Sequence, residues 1–266
     1  MNALDTLRKI SEEKPLVHHL TNYVTVNLVA NVTLCTGALP VMAHAVEEVE
    51  EMASVASSLV INMGTLDPEW IEAMVRAGKE ANRRNIPVVF DPVGAGATSF
   101  RTEMPERLLS EIDFAAIAGN AGEIATLAGM QAEVRGVESI GGDARTAVVK
   151  AARALGTTVA ATGPTDYVSD GERLFAIENG HRLMGRIVGS GCASTAAIGC
   201  FATVGGSDAA TVAGALAYFG RAGELAAENS DGPGTFEPRF LDALAALADE
   251  PEMLEGHLKI EEEDVG

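Results

Sequence analysis

Leu59-Val60-Ile61-Asn62-Met63-Gly64-Thr65 is the stretch that decides the fold. Three apolar residues in a row, two of them β-branched, read as a strand buried on both faces. The run then stops at polar and small residues. A helical pattern follows over 68–84, with Asp67 at the N-cap and Pro68 in the first helical position. Pro87-Val88-Val89-Phe90-Asp91 repeats the scheme and ends in Pro92-Val93-Gly94-Ala95-Gly96. Phe114-Ala115-Ala116-Ile117 ends in Gly119-Asn120-Ala121-Gly122-Glu123. Asp143 caps a helix to about 155, and Thr158-Val159-Ala160-Ala161 ends in Thr162-Gly163-Pro164. Continuous apolar strands separated by helices predict an α/β fold, its mostly parallel sheet covered on both faces. In open sheets of this kind ligands gather outside the carboxyl ends of the strands. Four strand ends, carrying Gly64, Asp91, Asn120 and Thr162, therefore point at one rim.

Outward from this centre the sequence is less explicit. Residues 192–226 are rich in Ala and Gly and predict close-packed helices. A further helix is expected over 238–247. The acidic run Glu261-Glu262-Glu263-Asp264 reads as part of a solvated tail over about 257–266. No Pro- or Ser-rich linker and no repeat interrupts the 266 residues, so one domain over 1–266 is expected.

The formal net charge of −19 sets this surface against nucleic acid and anionic membranes. No apolar run is long enough to span a bilayer. Three cysteines, Cys35, Cys192 and Cys200, make no disulfide framework, and a reducing cytoplasm is the expected compartment. His18, His19, His44, His181 and His257 form no metal-ligand spacing with carboxylates and read as surface or supporting groups.

Chemistry concentrates in two places. Val188-Gly189-Ser190-Gly191-Cys192-Ala193 puts two glycines before a run of small helix-compatible residues. That predicts a helix N-terminus with free N–H groups, a seat for phosphate or a developing anion. The same segment also fits a plain turn before a packed helix. Cys192 falls in the first helical turn, where the thiol pKa is expected to drop. Asp91 and Glu123 place two carboxylates at adjacent strand ends, a natural arrangement for hydrated Mg²⁺ beside polyphosphate. Each carboxylate also fits a helix-capping role. A P-loop signature, a protein-kinase motif set and a hydrolase nucleophile elbow are all missing from the sequence.

Taken together, the segments resemble the hydroxyethylthiazole kinases of the ribokinase-like superfamily. The likeness runs through Leu16-Val17-His18 with Thr21-Asn22, Pro40-Val41-Met42-Ala43, Asn62-Met63-Gly64-Thr65 and Asp91-Pro92-Val93-Gly94-Ala95-Gly96. It continues through Gly119-Asn120 with Glu123, Thr162-Gly163, Gly189-Ser190-Gly191-Cys192 and Gly232-Pro233-Gly234-Thr235-Phe236. The resemblance implies a three-layer α/β/α sandwich and a homotrimer with active sites between subunits. It implies phosphorylation of the hydroxyl of 4-methyl-5-(2-hydroxyethyl)thiazole by ATP with Mg²⁺. By position, Gly189, Ser190 and Gly191 would form the anion hole, and Cys192 would serve as base or alignment residue where many relatives in the superfamily carry Asp. Met42, Asn22, Gly64 and Gly189 would line the thiazole site. Thr162, Gly163 and Asn120 would meet the nucleotide, and Asp91 and Glu123 the metal. Ala118 departs from the family, which often has Arg there, and Arg101 and Arg186 are the candidates to replace its charge. The remaining rivals are kinases of hydroxymethylpyrimidine or pyridoxal, a nicotinamide-hydrate dehydratase, and a non-catalytic binding protein.

Overall fold

The computed structural model describes residues 2–130, 133–135, 138–140 and 143–265. In chain order the helices are α1 (Ala3–Glu13), α2 (Val26–Cys35), α3 (Val49–Val55), α4 (Pro68–Arg83), α5 (Ser99–Glu111), α6 (Ala121–Leu127), α7 (Ala144–Leu155), α8 (Ser190–Gly205), α9 (Ala209–Glu228) and α10 (Pro233–Asp249). The strands are β1 (Leu16–Leu20), β2 (Leu39–Val41), β3 (Ser58–Asn62), β4 (Val88–Asp91), β5 (Ala116–Asn120), β6 (Glu133–Arg135), β7 (Glu138–Ile140), β8 (Thr158–Thr162), β9 (Asp166–Ser169), β10 (Leu174–Ile177) and β11 (Ile260–Glu263). Nine strands form one sheet in the order β11-β10-β9-β8-β5-β4-β3-β1-β2, and β6 pairs with β7 apart from it.

Six strands, β2 through β8 along that order, run parallel. β9, β10 and β11 continue the sheet antiparallel. β3 and β4 are buried throughout, as continuous apolar runs require. Alternate side chains feed two cores. Val17, Val60, Val89 and Ala160 pack against α1, α2, α8, α9 and α10. Leu59, Ile61, Phe90 and Ile117 pack against α3 to α7. The result is the expected three-layer sandwich with a mostly parallel sheet.

Local signals behave as read at α4, where the Asp67 carboxylate accepts from the Trp70 N–H at 2.9 Å and Pro68 opens the helix. Four expectations need correction. The third strand is not 114–117 but Ala116–Asn120, so its pairing continues through the small residues Gly119 and Asn120. α10 starts at Pro233 rather than 238. Pro238 lies inside it, in the second turn, where it has no N–H to give the Gly234 carbonyl. His18 and His19 are not at the surface. They sit in β1 and are buried, because a parallel strand is covered on both faces. Burial holds His18 below its usual range and pushes His19 down to about 3. Finally, the acidic run is not a free tail. Ile260, Glu261, Glu262 and Glu263 pair with β10 as an edge strand, and Arg145 bonds Glu263 at 2.7 Å. Gly266, the last residue of that expected tail, lies outside the described residues.

Candidate active site

The carboxyl ends of β1, β3, β4, β5 and β8 converge, with the start of α8, on a cavity of about 400 Å³. Register brings the key positions side by side: Asn62 opposite Asp91, and Asn120 opposite Thr162.

One wall is the N-terminus of α8. Gly189 occupies the N-cap with φ 89°, and no side chain caps this end. The Ala193 N–H is the first to find an intrahelical partner, the Gly189 carbonyl at 2.8 Å. Gly189, Ser190, Gly191 and Cys192 all line the cavity. The free N–H groups of a first turn, with the positive end of the helix dipole, make this wall an anion seat. Glycine is needed at 189 twice over. Its φ is left-handed, and a Cβ there would come within 2.4 Å of Thr25 Cγ2.

Another part of the lining is acidic. Asp91 and Glu123 line the cavity and are each only 4% exposed. Asp91 Oδ2 accepts from Asn62 Nδ2 at 2.6 Å and from Thr195 Oγ1 at 3.2 Å. Glu123 is already engaged at both oxygens. It accepts from the Gly94 N–H at 2.7 Å and from the Asn120 N–H at 2.8 Å, closing a capping box at the start of α6. Burial raises the proton affinity of both carboxyls, and for Asp91 the neighbouring Glu123 adds to it. Two buried carboxyls that disfavour ionisation together fit a divalent cation, whose charge would stabilise both anions. Among the described residues no cluster of three or more His, Cys, Asp or Glu forms a ready-made metal cage. A cation kept mostly hydrated, as Mg²⁺ prefers, needs no such cage.

A hydrogen-bonded chain joins the two walls. Asn22 Nδ2 donates to Cys192 Sγ at 3.4 Å and to Asn62 Oδ1 at 2.9 Å, and Asn62 passes on to Asp91. Gly64 lines the cavity beside this chain, and a Cβ on it would lie 2.7 Å from the Asn22 Cβ. The Cys192 thiol departs from expectation. Burial, and then Asp91, push its pKa up to about 11. Removal from water outweighs the helix dipole, and the group is a neutral thiol near neutral pH.

Of the residues singled out in the sequence, Asn22, Gly64, Asp91, Asn120, Glu123, Thr162, Gly189, Ser190, Gly191 and Cys192 meet in this cavity. Met42 and Gly163 do not line it. Met42 follows the edge strand β2. Gly163 turns away, its N–H donating to Asp166 at 2.8 Å. Asn62 and Thr195 were not singled out, although both hold Asp91. A polar residue closing a continuous apolar strand was the available signal for Asn62. Ala118 packs in the core opposite Ala160 and does not reach the cavity wall. Arg101 does not face the cavity as a free cation either. Its guanidinium donates to the carbonyls of Met63, Gly64 and Val93. Arg186 is exposed in a single 3₁₀ turn, between Gly185 and Ile187, which both line the cavity.

Comparison with known proteins agrees with this geometry. The sequence model of the hydroxyethylthiazole kinase family matches residues 7–250. A hydroxyethylthiazole kinase of Rubrobacter xylanophilus is 64% identical over the full length of both chains. The solved structure of hydroxyethylthiazole kinase from Pyrococcus horikoshii superposes with a TM-score of 0.89 at 42% identity, covering 98% of this chain and 99% of that one. A ribokinase-like superfamily protein from Enterococcus faecalis shares the fold alone, with a TM-score of 0.65 at 13% identity and 93% and 94% of the two chains covered. The chain belongs to the hydroxyethylthiazole kinase family.

Proposed function

We propose that this kinase transfers the γ-phosphoryl group of ATP to the hydroxyl of 4-methyl-5-(2-hydroxyethyl)thiazole, with Mg²⁺, in thiamine salvage. The observation that carries the reading is that the uncapped start of α8 and two buried carboxyls line one cavity. Donors on one side and a cation site on the other suit phosphoryl transfer, which is mostly positioning and charge neutralisation. The N–H groups of Ser190, Gly191 and Cys192 would stabilise charge on the transferred group. Asp91 and Glu123 would hold hydrated Mg²⁺, which supplies charge neutralisation on the phosphates when bound. Asn22, Gly64 and Gly189 would shape the thiazole side, and Thr162 and Asn120 the nucleotide side, with Gly163 next to Thr162 but outside the cavity lining. Arg186, exposed between the lining residues Gly185 and Ile187, would meet the phosphates.

Cys192 acts as an alignment residue rather than a base. A thiol held near 11 gives no useful thiolate at neutral pH, and a loose transition state needs little base assistance. The whole chain works as one kinase domain, in the cytoplasm, as a homotrimer with active sites between subunits. Val24 and Val188, 68% and 74% exposed beside the cavity, support an apolar mouth covered by a neighbour. In that assembly Met42 would serve the neighbouring subunit's cavity. Among the described residues no helix is long and apolar enough to cross a membrane.

An ADP-release assay with ATP, Mg²⁺ and hydroxyethylthiazole tests the reading, with hydroxymethylpyrimidine and pyridoxal as rival acceptors. Thiazole-dependent turnover supports it, whereas preference for either rival reassigns the acceptor.

A further inference from the structure

The Arg101 guanidinium reaches from the first turn of α5 to the cavity rim. Its Nη1 donates to the Met63 carbonyl at 2.9 Å and to the Val93 carbonyl at 2.7 Å, and its Nη2 donates to the Gly64 carbonyl. Three carbonyls from the ends of two strands, β3 and β4, thus converge on one cation. The planar fork of arginine can serve several acceptors at once, which a lysine ammonium does less well.

The Val93–Gly94 peptide is held at both ends. Its carbonyl accepts from Arg101, and its N–H donates to Glu123 Oε1 at 2.7 Å. Gly94 has φ 77° and is the third residue of a turn closed by the Ala95 N–H to the Pro92 carbonyl at 2.9 Å. A positive φ there marks a type II turn, and rotating its central peptide gives a type I turn. That central peptide is Val93–Gly94. Rotation would break the bond to Arg101 and the bond to Glu123 together.

We propose that Arg101 is a positioning residue: it fixes the orientation of the Val93–Gly94 peptide and, through Met63 and Gly64, sets the spacing between the two walls of the cavity. Gly64 packs against Asn22, which bonds Cys192, while the Gly94 N–H that follows Val93 bonds Glu123. The kinetic part of this inference rests on the kinase reading; the structural part does not. A misplacement of about 1 Å between reacting groups costs on the order of 10²-fold in rate.

The test compares Arg101→Gln and Arg101→Lys with the wild-type enzyme. The expected result is a kcat about 100-fold lower for Arg101→Gln, with KM for ATP and thiazole changed by less than about threefold. Arg101→Lys should lie between. Millimolar guanidinium should restore part of the kcat of Arg101→Gln. Amide hydrogen exchange should quicken at 63–65 and 93–97 together, with α4 and α10 unchanged. A kcat for Arg101→Gln within threefold of wild type would overturn the proposal. So would faster exchange spread evenly through the chain, because that is the mark of a merely structural role. If the wild-type enzyme does not turn over the thiazole, the kinase reading fails, and the exchange pattern alone decides whether the clamp exists.

Discussion

The two rims of this sheet use their polar groups differently. At the amino ends of the strands, Asn82 and Asp113 satisfy one another: the Asn82 amide donates to the Asp113 carbonyl at 2.8 Å, and the Asp113 N–H donates back to the Asn82 side chain at 2.8 Å. These two residues border an open groove, and the Asn82 side chain and the Asp113 main chain are spent on holding the chain together. At the carboxyl ends, the start of α8 lines a cavity without a capping side chain, and two buried carboxyls line the same cavity. One rim is a completed structure, and the other is a structure that a ligand completes. The difference explains why function collects at one end of a sheet whose middle is uniform.

The sharpest way to break this contrast is Asp91→Ala. It should lower kcat/KM by about 10³-fold, the scale of losing a central electrostatic group. Thermal stability of the ligand-free protein should hold or rise, because the substitution removes a buried carboxyl that ionises at a cost. A parallel fall in stability and activity would place Asp91 among the structural groups instead. Gly189→Ala comes next. Its Cβ meets Thr25 at 2.4 Å in a left-handed conformation, so the start of α8 must move. Activity should fall about 10²-fold in steady-state assays, with helix content unchanged by circular dichroism.

A third experiment reads the acidic wall without catalysis. The pKa of Asp91 and of Glu123 is raised on folding, so the native state holds more protons than the unfolded chain above the ordinary carboxylate range of about 4. The stability contribution of this pair is therefore fully present below that range and is lost as pH rises through the folded values. Melting curves should show the ligand-free protein losing stability as pH rises above that range, and Mg²⁺ should stabilise it more at the alkaline end of the series than at the acid end. Each pH unit over which one extra proton is held corresponds to about 1.4 kcal/mol. The smallest effect belongs to the completed rim. Asn82→Ala should cost about 1 kcal/mol in denaturant unfolding and leave kcat and KM unchanged.

The same contrast governs what could be read from the sequence. Leu59-Val60-Ile61 and Val88-Val89-Phe90 were legible because doubly covered strands need unbroken apolar runs. The polar residues that end those runs were legible for the same reason, and most of the cavity came with them. β1 was harder, because its two buried histidines look like surface residues until the strand is covered. β9 and β10 lie in the antiparallel extension, where short strands leave little pattern. Met42 rests on likeness alone and Gly163 on likeness and its place just after a strand, and neither lines the cavity of its own chain. The Cys192 thiol departs from its expected pKa because a helix N-terminus can be read from sequence, while the depth at which its first turn is buried cannot.

The acidic edge strand β11 has a consequence for handling the protein. Glu261 and Glu262 are exposed along the last strand of a nine-stranded sheet, where an unpaired backbone would otherwise recruit another chain. Their charge keeps that edge to itself near neutrality. Replacing both by neutral residues would remove the guard and leave the ladder open, inviting end-to-end association of folded molecules, a colloidal failure that begins before any unfolding.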